Sequence, residues 1–262
     1  MILSGIIRKK IIDLAYKSQC GHIGSCMSAT DILIQIFTNE MKKGDKFILS
    51  KGHAALALFV ILNYLKKIPN SVLNSYLQDG SYLGMHPTVH YPLDIPLATG
   101  SLGHGLSFAS GLSLAFIMQA KQTLNKVFCL LSDGECNEGM VWEAAQFASH
   151  HQLNNLIVVI DRNNLQAFGK TKDVLGNSTS SIKWRAFGFN VYSCDGHNLK
   201  KLHLVFKQIA KNINHKPHVI ICNTIKGQGV DFMENKMESH YLKLDKNSYK
   251  QAILSLNKNY AE

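Results

Sequence analysis

Two kinds of hydrophobic pattern alternate along the chain. Phe47-Ile48-Leu49, Val127-Phe128-Cys129-Leu130-Leu131, Leu156-Ile157-Val158-Val159-Ile160 and residues 218–223 are nearly continuous apolar runs. A run with no polar face reads as a strand buried on both sides. Between these runs, apolar residues recur at helical spacing over 3–18, 28–40, 52–67, 138–151 and 198–212. Residues 104–121 form a small-residue helical pattern suited to close packing, and 189–194 add one more strand-like segment. Doubly buried strands alternating with helices predict an α/β fold, a parallel sheet with helices on both faces. No Gly/Ser linker, low-complexity tract or internal repeat breaks the pattern, so residues 1–262 read as one domain with a short tail after about residue 235.

Ligands of such sheets bind beyond the carboxyl ends of the strands. The run 127–131 leads directly into Ser132-Asp133-Gly134, and a helix pattern follows. An aspartate at a strand end can offer a carboxylate to a divalent cation. The glycine beside it lets a diphosphate approach the backbone, and the helix start favours the anion. Asn163 and Asn164 come one helix and one strand later, 30 residues after Asp133 (163 − 133). Side-chain and backbone carbonyls there supply further oxygen ligands. Magnesium suits this set, because it takes a few protein oxygens and completes an octahedron with phosphate oxygens and water. Asp-Gly alone is common turn chemistry; the combination is far more specific.

The combination matches the thiamine-diphosphate signature G-D-G followed by N-N, with Ser132 replacing the first glycine. Over nearly its whole length the chain resembles the transketolases, in the shorter, split form of the family. Ser50-Lys51-Gly52-His53 resembles the family's S-K-G-H, which implies that His53 contacts the cofactor diphosphate. Gly84-Met85-His86-Pro87 resembles its substrate-side histidine segment, and Gly21-His22-Ile23-Gly24 its early G-H-P-G, with Ile23 in place of proline. Thr99-Gly100-Ser101-Leu102-Gly103-His104-Gly105 resembles T-G-P-L-G-Q-G, so Gly100, Ser101 and Leu102 are expected to line the cofactor. Thr224 to Val230 followed by Ser239-His240 resembles the closing segment, and Glu138 sits where the family keeps a glutamate that orients the loop or touches a dimer partner.

The resemblance implies a division of labour. Asp133, Asn163 and the Leu165 carbonyl hold Mg2+, with Ca2+ or Mn2+ able to substitute. His53, Gly100, Ser101, Leu102, Asp133, Gly134, Glu138, Asn163 and His240 bind thiamine diphosphate. His22, His86 and His240 act as catalytic hydrogen-bonding or acid–base groups. The implied reaction moves a two-carbon ketol unit from a ketose phosphate to an aldose acceptor. Larger family members carry a second domain that activates the cofactor's aminopyrimidine. For this chain the resemblance therefore implies a second subunit with the pyrimidine-binding domain, and a homodimer of such heterodimers. Three readings stay open beside it: a deoxyxylulose-phosphate synthase-like enzyme, a decarboxylating dehydrogenase α chain, and a non-catalytic regulatory subunit.

Composition narrows the field further. The formal charge of +10 raises the question of nucleic acid, but only Arg8, Arg162 and Arg185 are arginine and the remaining positive charge is dispersed lysine. Arginine is the usual tool for bidentate phosphate and base contacts, so a solvated lysine surface is the better account and no nucleic-acid partner is expected. The six cysteines form no C-x-x-C pair and read as reduced thiols. No apolar run reaches the ~20 residues of a membrane span, and the charge order at the N-terminus is not that of a signal peptide. A cytoplasmic protein without a membrane partner is expected.

Overall fold

The computed structural model describes residues 2–90, 93–119, 124–176 and 178–260. Helices α1 (Ile2–Ser18) and α2 (Ile23–Gln35) lead into β1 (Lys46–Leu49). Helices α3 (Ala55–Tyr64), α4 (Asn70–Asn74) and α5 (His104–Gln119) follow, then β2 (Val127–Ser132), α6 (Gly139–His150) and β3 (Leu156–Arg162). The chain continues through α7 (Thr171–Leu175), α8 (Ser181–Ala186), β4 (Asn190–Asp195), α9 (Leu199–Lys211), β5 (His218–Asn223) and α10 (Lys246–Asn259). The strands form one parallel sheet in the order β1-β2-β3-β5-β4. Among the described residues no helix is long and apolar enough to cross a membrane.

The apolar runs behave as a doubly covered parallel sheet requires. Phe128, Leu130, Ile157 and Val159 point into a core built with α1, α2, α3, α9 and α10. Their sequence neighbours Val127, Cys129, Leu131, Val158 and Ile160 point into a second core with α5, α6 and α8. Alternate side chains of one strand thus serve opposite faces, which is why neither face could be polar.

Several boundaries differ from the sequence expectation. Helix α2 starts at Ile23, five residues before the expected 28, and continues as a π-helical turn, Ile36–Glu40. The small residues Gly24, Ser25 and Cys26 weaken the periodic signal there, yet all are buried. The 52–67 pattern resolves into a 3-10 turn, Gly52–Ala54, and α3, and it ends before Lys66, which has φ 60°. The last two positions of the helix expected over 104–121 lie outside the described residues. The segment after residue 235 is more than a tail: a 3-10 turn, Met237–His240, precedes α10, whose Ala252 and Leu256 are fully buried against the α1 side of the core.

Candidate active site

The sheet order brings the ends of β1, β2, β3 and β5 side by side. Beyond them lies a cavity of about 500 Å3. It is lined by Asp133 and Gly134 after β2, Asn163 and Leu165 after β3, Lys226 after β5, and His53 after β1. Glu138, ahead of α6, joins the lining, as do Gly100 and Leu102 of the loop before α5. His22, His86 and His240 close the wall from other segments. All the residues anticipated for the site therefore meet here except Ser101, which is exposed and outside the lining. His104, at the start of α5, is likewise exposed.

Four imidazoles form one group. The His22 ring lies 4.6 Å from His240, 5.7 Å from His53 and 5.8 Å from His86. His22 sits just ahead of α2 with φ 63°, a left-handed conformation that is costly for a non-glycine residue. Its carbonyl accepts the amide protons of Ser25 and Cys26, and its own N–H donates to the His240 carbonyl at 2.8 Å. These bonds hold the unusual backbone and tie the start of α2 to the 237–240 turn. Gly100 has φ 155°, and a Cβ there would come 3.3 Å from the His86 ring, so glycine lets this loop pass against the imidazole.

Burial lowers the proton affinity of each ring. His22 falls to about 4 through burial, with His86 and Lys226 adding to it. His240 falls to about 3 through burial and the Lys226 ammonium. His53 is pushed well below the usual range by burial and Lys51, and His86 is lowered by burial. At neutral pH the cavity thus presents neutral imidazoles, each able to donate one hydrogen bond and accept another. The His22 Nδ1 atom is buried with no partner.

The charged groups are arranged around them. Lys226 Nζ lies 3.2 Å from His240 Nδ1 and donates to the Leu165 carbonyl at 3.4 Å. Burial and the nearby Lys51 bring its ammonium down to about 8. Burial and the neighbouring Asp161 carboxylate push Asp133 up to about 6. Asp133 accepts from the amides of Gly134 at 2.8 Å and Asn164 at 2.5 Å, and from the Thr171 hydroxyl at 3.2 Å. The Asn163 side-chain oxygen accepts from the Leu165 amide at 3.1 Å. Among the described residues no cluster of three His, Cys, Asp or Glu side chains could hold a metal. A cation here would draw on one carboxylate, one amide oxygen, a backbone carbonyl and ligand oxygens. That donor set fits magnesium joined to a diphosphate.

Beneath the cavity are groups that the motifs did not single out. Lys51 and Asp161 are fully buried and paired, and Asp161 also accepts from Ser28 at 2.6 Å and from Thr224. Burial alone would raise Asp161, but Lys51 and these hydroxyls hold it below the usual carboxylate range. Glu135, fully buried, accepts from Ser50, from the Gly103 amide at 2.9 Å and from the Ser132 amide at 3.2 Å, so one carboxylate pins three loops of the site. His197 donates from Nδ1 to Asp31 at 2.7 Å and accepts the Ile225 amide proton at Nε2, 2.9 Å away. Arg8 grips the same Asp31 at 2.6 and 3.1 Å. This largely buried chain steadies the backbone next to Lys226. Lys51 and Lys226 lie inside quoted motifs, but their burial depends on partners far along the chain.

The family profile described as "Transketolase, thiamine diphosphate binding domain" matches residues 3–259. A 6-deoxy-6-sulfo-D-fructose transketolase subunit from a Clostridium species is 35% identical over 264 residues, covering 97% of this chain and 95% of the relative. An apulose-4-phosphate transketolase subunit from Actinobacillus succinogenes is 38% identical over 245 residues, covering 90% of this chain and 87% of the relative. Among solved structures, the transketolase of Campylobacter jejuni superposes with a TM-score of 0.83 at 25% identity, over 98% of this chain and 43% of that one. The transketolase of Leishmania mexicana gives 0.81 at 22% identity, over 98% of this chain and 44% of that one. The chain spans less than half of those solved chains.

Proposed function

Because the chain belongs to the transketolase thiamine-diphosphate-binding family, we propose that it is the cofactor-binding subunit of a split transketolase, active with a second chain that carries the pyrimidine-binding domain. One observation carries the reading: four neutral histidines, Asp133, Asn163 and Lys226 line a single cavity at the carboxyl edge of the sheet. The partner is supported by the relatives that this chain covers almost end to end, which are named as subunits. Five buried free cysteines and a half-buried sixth suit a reducing, cytoplasmic setting.

When bound, thiamine diphosphate supplies the carbanion chemistry that breaks and makes the carbon–carbon bond. The chain's own residues do the rest. Asp133, Asn163 and the Leu165 carbonyl would hold Mg2+, and His53 and Lys226 would hold the diphosphate. His22, His86 and His240, being neutral, would donate to or accept from sugar hydroxyls and the developing alkoxide. The substrate class is a ketose phosphate donor with an aldose acceptor.

Calorimetry with thiamine diphosphate and magnesium tests the cofactor assignment. Asp133→Ala is expected to abolish magnesium-dependent binding, and unchanged affinity would overturn the metal assignment. Assays with and without the partner test the division of labour: ketol transfer is expected only in the mixture, and robust transfer by this chain alone would sink it. A substrate panel is expected to favour ketose phosphates over pyruvate, and the reverse preference would favour a synthase of the deoxyxylulose-phosphate type.

A further inference from the structure

Two neutral side chains in the cavity belong to none of the motifs above, and each holds a buried amide nitrogen without a hydrogen-bond partner. Asn137 ends the 3-10 turn Gly134–Asn137, and Gln166 follows Leu165 beyond β3. Both line the cavity. Asn137 Oδ1, Asn137 Nδ2 and Gln166 Nε2 are shielded from solvent, and none has a partner.

An unpaired buried polar atom costs about 1–3 kcal/mol, and three at one place are unusual in a folded chain. Gln166 is not loosely placed. Its amide donates to the Gly169 carbonyl at 2.8 Å, within a loop closed by the Leu165–Lys170 bridge. Its side chain lies over Gly134, where a Cβ would come 2.9 Å from Gln166 Cγ. Asn137 closes the turn that Gly134 begins. Gln166 therefore lies over the glycine that gives an anion access to the backbone, and Asn137 lines the same cavity from the other end of that glycine's turn. Each offers N–H donors, and carboxamide donors suit phosphoryl oxygens without adding charge.

We propose that Asn137 and Gln166 are additional diphosphate-binding residues, each donating from its side-chain amide to a phosphoryl oxygen held over Gly134. The inference rests on the thiamine-diphosphate reading above and extends it to two positions outside the family's motif strings. It also accounts for the two orphaned amide nitrogens, Asn137 Nδ2 and Gln166 Nε2: they are unpaired in the free chain because their acceptors arrive with the ligand.

The test uses the full chain, the near-isosteric variants Asn137→Leu and Gln166→Met, and Asp133→Ala as reference. Affinities for thiamine diphosphate and for inorganic pyrophosphate are measured by calorimetry with magnesium, and thermal midpoints without ligand. Each isosteric variant is expected to bind both ligands at least about tenfold more weakly. Its ligand-free midpoint is expected to stay level or rise by up to about 4 °C, because an unpaired polar group has been removed. Affinities within about twofold of the unaltered chain, with Asp133→Ala inactive in binding, would overturn this inference and leave the cofactor reading intact. So would weakened thiamine diphosphate with undiminished pyrophosphate, which places the amides against another part of the cofactor. A ligand-free midpoint that falls together with affinity would show a structural role and also overturn it. Normal binding by Asp133→Ala would take down the cofactor reading and this inference together.

Discussion

Lys51 and Asp161 show how much of the site is decided below its surface. Both are fully buried, and their pairing joins the segment after β1 to the end of β3. A buried pair contributes little net stability, but breaking it leaves an uncompensated charge. Lys51→Met is expected to cost about 3–5 kcal/mol, read from urea midpoints, while Asp161 remains charged. The imidazole cluster calls for a different measurement. In the assembled enzyme, His22→Ala is expected to lower kcat/KM by about 10²–10⁴-fold with the fold unchanged by circular dichroism. A loss below tenfold would remove His22 from the acid–base set. The histidines were legible as short motif strings. Glu135, Asn137, Gln166 and the burial of Lys226 were not, because a side chain's partners across the sheet leave no local trace.

The helices and strands read well wherever one physical requirement governs them. A strand buried on both faces must be apolar throughout, so β2, β3 and β5 appear as unbroken runs with ends correct to within two residues. Helix α10 escaped because it buries a narrow stripe and keeps most of its surface polar. Its capping box at Asp245 and Ser248 was the available signal. The helix is held by Tyr249, which stacks on Tyr16 with 4.5 Å between ring centroids and donates to Asp13 at 2.8 Å. It also buries Leu256 completely. Leu256→Ala is expected to cost about 2–5 kcal/mol in chemical unfolding. A loss under about 1 kcal/mol would mean that α10 is a detachable tail after all.

The whole chain should lose stability in mild acid, for a reason that reaches beyond the cavity. His218 begins β5, is 2% exposed, and is lowered to about 4 by burial and Lys126. His22 is lowered to about 4 and His240 to about 3. A histidine whose folded pKa lies below its unfolded value binds protons first in the unfolded chain. Its stabilising effect is complete above about pH 6.5 and drains away as pH falls toward 4. Urea midpoints are expected to be flat near neutrality and to drop across that window. His218→Gln, far from the chemistry, is expected to shallow the drop. An unchanged slope would show that His218 is not buried in its neutral form.

The chain's linear pattern was enough for the α/β class, the positions of most elements, and the short strings around Asp133, Asn163, His53 and Gly100. These are consequences of local physics: doubly buried strands must be apolar, and a tight turn at a strand end favours a small residue beside its acid. The order β1-β2-β3-β5-β4 came only with the folded chain, and with it the convergence of His22, His86 and His240 on loops from four strand ends. The same is true of the neutral state of those imidazoles, the Lys51–Asp161 pair, and the unpaired amides of Asn137 and Gln166. Burial and pairing depend on what long-range packing places opposite each side chain, and no window of neighbouring residues contains that information.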